Sequence, residues 1–155
     1  MASQDNKASF KPYLTLLLWL CLFYYHNPAI CLATRQATAA ESSTTELLDQ
    51  IAAQIEHESV SDKSYDELSR ILEHQPTNFR ALLLLGKCYD LLGLPELALE
   101  QYRLALKYGP HEPETIVELI KALAKTGQTT SAIDLINQAS RRFPDNPEVL
   151  YWVGN

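Results

Sequence analysis

The sequence has few of the residues and motifs on which enzyme chemistry usually depends. Its three cysteines, Cys21, Cys31 and Cys88, match neither a zinc-site spacing nor a disulfide framework. The five glycines are dispersed, so the chain has no glycine-rich phosphate loop of the Walker or Rossmann type. His57 begins a zinc-protease pattern, but Ser61 stands where the second histidine is required. These absences predict that the chain is not an enzyme and has no metal site or cofactor of its own.

Positive charge is also sparse. The formal net charge is −6, and no run of lysine or arginine is longer than Arg141-Arg142. Nucleic-acid binding requires a concentrated basic surface to neutralise phosphates, so we expect no nucleic-acid partner. Apolar residues make up 46% of the chain and charged residues 21%, which is typical of a folded protein.

Residues 1–33 are predicted to be a signal peptide or a membrane anchor. Lys7 and Lys11 precede an uncharged stretch, residues 12–25, that is rich in leucine and aromatics, and small residues would allow cleavage after Ala33. The alternative is an uncleaved anchor, because the apolar stretch from Tyr13 onward can be extended to about 21 residues, enough to span a bilayer. A buried helix is a third alternative. Both leading interpretations place the rest of the chain on the non-cytoplasmic side, exported to a periplasm, lumen or extracellular space or held at the membrane.

Two further segments follow the targeting segment. Residues 34–44 are small and polar without periodicity, and we expect a flexible linker there. From residue 45 the sequence repeats itself at an offset of 34 residues, with Gly93 aligned with Gly127 and Ala98 with Ala132. We define repeat 1 as residues 45–78, repeat 2 as 79–112, repeat 3 as 113–146 and a partial repeat as 147–155. A period of this length indicates stacked helical hairpins.

Each repeat has the pattern of two amphipathic helices. Small residues are expected where the helices cross, since they allow close approach of two backbones: Gly86, Ala98 and Ala105. Gly93 and Gly127 are expected at helix ends that need a left-handed residue. Prolines should end the second helices: Pro76, Pro110 and Pro144. Ser43 and Glu46 have capping-box spacing, which predicts the start of the first helix.

Repeat 2 contains a set of residues that resembles the complete tetratricopeptide repeat signature: Leu82, Leu85, Gly86, Tyr89, Gly93, Ala98, Tyr102, Ala105 and Pro110. Repeat 3 keeps most of this pattern but has Ile120 at the first glycine position, and repeat 1 is the weakest match. The resemblance implies an all-α fold, a right-handed α-solenoid of antiparallel helix pairs, here preceded by the N-terminal signal or transmembrane helix. It also implies a scaffold or adaptor that binds a protein or peptide partner in a concave groove.

In the frame of that family the first helix of each pair lines the groove. Eight groove residues are expected to contact the partner: Arg80, Leu83, Lys87, Asp90, Val117, Lys121, Lys125 and Tyr151. The wall is acidic at its amino end and becomes basic further along, which predicts an acidic or carboxylate-bearing partner. An ordinary solvated helix face is the alternative. The lysine and asparagine arrangement with which chaperone-binding members hold a terminal carboxylate is not reproduced.

Three functions remain open from the sequence. The chain is an exported or membrane-tethered scaffold, the N-terminal interaction part of a longer envelope enzyme or secretion machine, or a structural membrane protein that self-associates. Because residues 147–155 form only part of a first helix, we also expect the chain to be a fragment of a longer array; a stub cap is the alternative.

Overall fold

A computed structural model of the chain describes residues 28–57 and 61–154, with side chains from residue 39 onward. All regular structure in these ranges is helical. We number the helices α1 (Pro28–Glu56), α2 (Asp62–His74), α3 (Phe79–Leu91), α4 (Pro95–Tyr108), α5 (Pro113–Lys125), α6 (Thr129–Arg142) and α7 (Pro147–Gly154). Contacts divide the chain into two parts, Met1–Ser43 and Thr44–Asn155. The second part contains all of the repeats.

Side-chain caps and prolines set the helix starts. Asn78 Oδ1 accepts a hydrogen bond from the Ala81 backbone N–H before α3, and Asn146 Oδ1 accepts two from the first turn of α7. Ser61 Oγ caps α2 in the same way. Each such acceptor satisfies a backbone donor that has no partner within the helix. Proline occupies the first helical position of α4, α5 and α7, where its missing N–H costs nothing.

Glycine ends the first helices of repeats 2 and 3, as the sequence predicted. Gly93 has φ +72° and Gly127 has φ +73°. The following N–H groups donate back into the helix, with Leu94 bonded to the Tyr89 carbonyl and Gln128 to the Leu123 carbonyl, each at 2.9 Å. This is the Schellman pattern, which requires a left-handed residue after the helix. Both glycine predictions are therefore confirmed.

The core lies between successive hairpins. Each helix from α2 to α7 packs against the next, and the first helices α3, α5 and α7 also contact one another in series. Ala98 and Ala105 are fully buried where α4 crosses its neighbours. A Cβ atom on Gly86 would lie 2.5 Å from the ring of Tyr102. These three small residues occupy the inter-helix seams, as expected, and the arrangement is consistent with an α-solenoid.

The region before repeat 1 differs from expectation. Residues 34–44 were expected to be a flexible linker, and Ser43 was expected to cap a new helix, yet both lie inside α1. The physical reason is composition: this stretch contains no glycine or proline and includes Ala37, Ala39 and Ala40, which favour the helix. Local helix propensity therefore outweighed the lack of apolar periodicity.

Most of the predicted signal peptide or membrane anchor, residues 1–27, lies outside the described residues. Residues 28–33 form the first turns of α1. Of the helices that the structure describes, none combines the length and apolar character needed to cross a bilayer.

Candidate partner-binding groove

A pocket of about 250 Å³ opens along the row of first helices. Its lining comes from α1, α3, α4 and α5: Ile55, Lys87, Asp90, Leu91, Tyr102, Glu118, Lys121 and Lys125. Pockets that bind drug-sized ligands usually have volumes of about 300–1,000 Å³. The volume therefore suits one or two side chains of a bound segment.

Ion pairs connect the first helices of neighbouring repeats. Arg80 on α3 contacts Asp49 on α1 at 2.6 Å. Lys87 on α3 contacts Glu114 on α5 at 2.5 Å. Lys125 on α5 contacts Asp90 on α3 at 2.9 Å. Each pair joins residues about one repeat apart in sequence, so charged side chains as well as apolar packing hold one hairpin to the next.

Asp90 is held from two sides. Its side chain is only 12% exposed. Its Oδ1 atom accepts from Lys125 Nζ, and its Oδ2 atom accepts from the Tyr102 hydroxyl at 3.2 Å. Burial, followed by the negative charge of Asp90, raises the pKa of Tyr102 far above its ordinary value. The hydroxyl of Tyr102 therefore stays protonated and acts as the donor to Asp90.

The wall is less basic than the sequence suggested. Lys121 pairs with Glu118 at 3.0 Å along α5. Together with the three pairs between helices, this gives each of the four cations among the predicted groove residues a carboxylate partner in the described part of the chain. The sequence showed the charges of each helix separately, but Asp49 and Glu114 reach across to the neighbouring helix. The groove is therefore a network of paired charges.

The structure separates the eight predicted groove residues into three groups. Four line the pocket together: Lys87, Asp90, Lys121 and Lys125. Arg80 and Tyr151 lie apart from the pocket, with Tyr151 64% exposed and its ring edge-on to Trp152. Leu83 and Val117 are only 7% and 1% exposed and belong to core clusters. Those two side chains present no apolar surface to a partner, because the adjacent helices cover them. Binding by the eight stays a prediction.

Sequence reasoning missed four lining residues: Ile55, Leu91, Tyr102 and Glu118. Glu118 carried a usable signal, because a glutamate three residues before a lysine on a helix faces it. Tyr102 was recognised only as a residue of the repeat signature, and nothing in the sequence indicated that its hydroxyl would reach the pocket. Among the described residues, no cluster of histidine, cysteine, aspartate and glutamate is placed to hold a metal ion.

Comparison with known families agrees with this architecture. Two family models, both described as Tetratricopeptide repeat, match residues 93–151 and residues 65–113. Together the matches run from residue 65 to residue 151, more than half of the chain. The chain belongs to the tetratricopeptide repeat family. No curated protein matches it. Repeats of this family generally mediate protein-protein interaction and are generally non-catalytic.

Proposed function

We propose that the chain is a scaffold or adaptor whose protein partner inserts an acidic side chain or a terminal carboxylate into the pocket of the groove. The observation that carries this proposal is that three lysines, Lys87, Lys121 and Lys125, line one pocket. Each ammonium has three N–H donors, and one of them is engaged by a carboxylate. Donors therefore remain for an incoming anion, beside the apolar side chains of Ile55 and Leu91.

The ion pairs of the pocket differ in how easily they can be exchanged. The Glu114 side chain is 54% exposed, and exposed ion pairs contribute only about 0–1 kcal/mol. The side chains of Asp90 and Glu118 are 12% and 16% exposed, so their displacement costs more. An acidic ligand can therefore replace Glu114 on Lys87 most readily. Glu114 would limit affinity by competing for the same ammonium group.

The proposal is tested on a partner captured with the full chain as bait. The variant Lys87→Gln/Lys121→Gln/Lys125→Gln removes the three ammonium groups. The matched control is Lys63→Gln/Arg70→Gln/Lys107→Gln, which removes three exposed cations from the second helices α2 and α4. We expect the groove variant to bind about tenfold more weakly or worse, with a smaller salt dependence. Unchanged affinity, or an equal loss in the control, would contradict the proposal.

We also propose that the chain is exported or tethered to a membrane through residues 1–33. The support is the sequence alone: two lysines precede an uncharged stretch rich in leucine and aromatics. The test is fractionation of the full chain with a C-terminal tag, followed by sequencing of its amino terminus. A first residue of Thr34 means export with cleavage, and Met1 in the membrane fraction means an anchor. An intact Met1 in the soluble fraction contradicts both.

A second candidate function is self-association through α7. Leu150 and Val153 are about half exposed, whereas the matching residues of repeat 3, Ile116 and Leu119, are each only 5% exposed. The corresponding residues of repeats 1 and 2 are also buried. Sedimentation equilibrium of the wild type and of Leu150→Glu/Val153→Glu tests this candidate. A wild-type chain that is monomeric at all concentrations rejects it.

A further inference from the structure

The turn between α3 and α4 carries four exposed leucines, which we call the leucine corner: Leu91, Leu92, Leu94 and Leu97. Their exposed fractions lie between 42% and 57%. Single exposed apolar side chains are ordinary on protein surfaces. Four large ones within one turn and its flanking helix ends are not ordinary, and large exposed apolar patches mark interaction sites.

Repeat 3 shows that the turn does not require these leucines. Its helices α5 and α6 are joined by a turn of the same form, in which Gly127 matches Gly93 in φ and in hydrogen bonding. At the four positions of the leucine corner, however, repeat 3 carries Lys125, Thr126, Gln128 and Ser131. Repeat 1 is also polar at the first and last of them, with His57 and Lys63. The leucines of repeat 2 are therefore an addition to the fold.

The charge that borders the leucine corner is negative. Glu96 and Glu100 on α4 are exposed, and neither has an ion-pair partner within the described residues. Of the cations on these helices, Lys125 is paired with Asp90 and Lys87 with Glu114, whereas Arg103 keeps its positive charge because it donates to the neutral side-chain carbonyl of Gln128. The two carboxylates of Glu96 and Glu100 outnumber the one guanidinium of Arg103, so the edge of the apolar surface is negative by one charge.

This negative edge selects among the possible occupants. An anionic lipid surface would be repelled by the two glutamates. A second copy of the chain, with its own glutamates and a net charge of −6, would be repelled in the same way. A segment with an apolar face and basic flanks is attracted, because its flanks neutralise Glu96 and Glu100 while its apolar side chains cover the leucines.

We propose that the leucine corner is a second docking surface, which takes an amphipathic helical segment with basic flanks from a protein partner. It goes beyond the proposed groove function. Leu91 also lines the groove pocket, so the two surfaces are continuous. They differ in the charge that they select, since the pocket offers ammonium groups and the leucine corner offers carboxylates.

The test uses a synthetic amphipathic helix with leucines on one face and lysines on the other, labelled for fluorescence anisotropy and titrated with the full chain. The variant Leu92→Thr/Leu94→Gln/Leu97→Ser replaces three leucines by the residues that repeat 3 carries at the same positions, so the turn should be preserved. Circular dichroism checks its fold. The control is Ile133→Thr, which removes an equally exposed apolar side chain from α6. We expect at least about a tenfold loss of affinity in the triple variant and little change in the control.

Each remaining outcome decides the proposal. Equal binding by wild type and a folded triple variant overturns it, and so does equal binding of a peptide with glutamates in place of the lysines. If the wild type binds phosphatidylserine vesicles and the triple variant does not, the leucine corner contacts a membrane and the proposal is overturned. If the wild type self-associates and the triple variant does not, the leucine corner binds a second copy of the chain and the proposal is likewise overturned. The lysine-to-glutamine groove variant should still bind the leucine-lysine peptide, so the two proposals fail separately.

Discussion

Two tyrosine hydroxyls form hydrogen bonds of equal length in very different surroundings. Tyr102 donates to the carboxylate of Asp90 at 3.2 Å in a partly buried site. The hydroxyls of Tyr89 and Tyr65 lie 3.2 Å apart in an exposed site. The substitutions Tyr102→Phe and Tyr89→Phe remove one hydroxyl each and leave the rings in place. Their effects on stability therefore compare the two hydrogen bonds directly.

The expected magnitudes follow from the acceptor and from burial. A hydrogen bond to a charged group contributes about 1.5–3 kcal/mol, and the length of this one favours the lower end. Tyr102→Phe also leaves the poorly exposed Oδ2 atom of Asp90 without that donor, so we expect a loss of about 1.5 kcal/mol. An exposed bond between neutral groups is largely replaced by water. For Tyr89→Phe we therefore expect a loss of about 0.5 kcal/mol or less.

Urea unfolding of the full chain, followed by far-ultraviolet circular dichroism, measures both losses. A destabilisation of 1.5 kcal/mol lowers the melting temperature of a domain of this size by roughly 6 °C. The control compares Asp90→Asn with Asp90→Asn/Tyr102→Phe, because the hydroxyl should matter less once the charge is gone. Equal losses for the two single variants, or a neutral Tyr102→Phe, would refute the assigned role of Asp90 as a partly buried charged acceptor.

Three other changes test separate parts of the fold. Gly86→Ala gains about 1 kcal/mol of helix propensity, but overlap with the Tyr102 ring costs about 1–3 kcal/mol. Urea unfolding should therefore show a net loss of about 1 kcal/mol in stability, and a gain would mean that the two helices are not closely packed at this crossing. In Gly93→Ala the added methyl group meets no neighbouring atom, so the expected loss of about 1 kcal/mol in the free energy of unfolding comes from the left-handed backbone alone. Gly154→Ala, where φ lies outside that region, is the control, and no loss in Gly93→Ala would contradict this explanation. Burial raises the pKa of Cys88 to about 11 from an ordinary value near 9. Between these pH values the folded state keeps a proton that the unfolded state releases, so the free energy of unfolding should fall as the pH rises from about 9 towards 11. The same slope in Cys88→Ala would refute the assignment to this thiol.

The sequence was sufficient for the fold where local chemistry repeats along the chain. The offset of 34 residues located the helix pairs of repeats 2 and 3, and the positions of Gly93 and Gly127 follow from the need for a left-handed residue at a helix end. The same reasoning failed before repeat 1. There the polar stretch 34–44 was expected to be a linker because it lacks apolar periodicity, but alanine-rich composition alone supports a helix.

The candidate site was harder to predict because it depends on contacts between repeats. The repeat frame placed Lys87 and Lys121 at matching positions of the first helices, and both line the pocket. The frame could not show that Glu114 would reach Lys87 from the next helix, or that Val117 would be covered by its neighbours. Charge pairing and burial across an interface depend on the distances between hairpins. Those distances are a property of the assembled array.

The position of Tyr102 makes the interior of one hairpin sensitive to events at the surface. Its ring lies at the Gly86 crossing, and its hydroxyl ends in the pocket on Asp90. An anion that draws the Lys125 ammonium away from Asp90 changes the electrostatic environment of the Tyr102 hydroxyl without contact with the ring. The nuclear magnetic resonance signal of one buried phenol would then report occupancy of the pocket that it lines, and the protein would need no attached label for its binding to be followed.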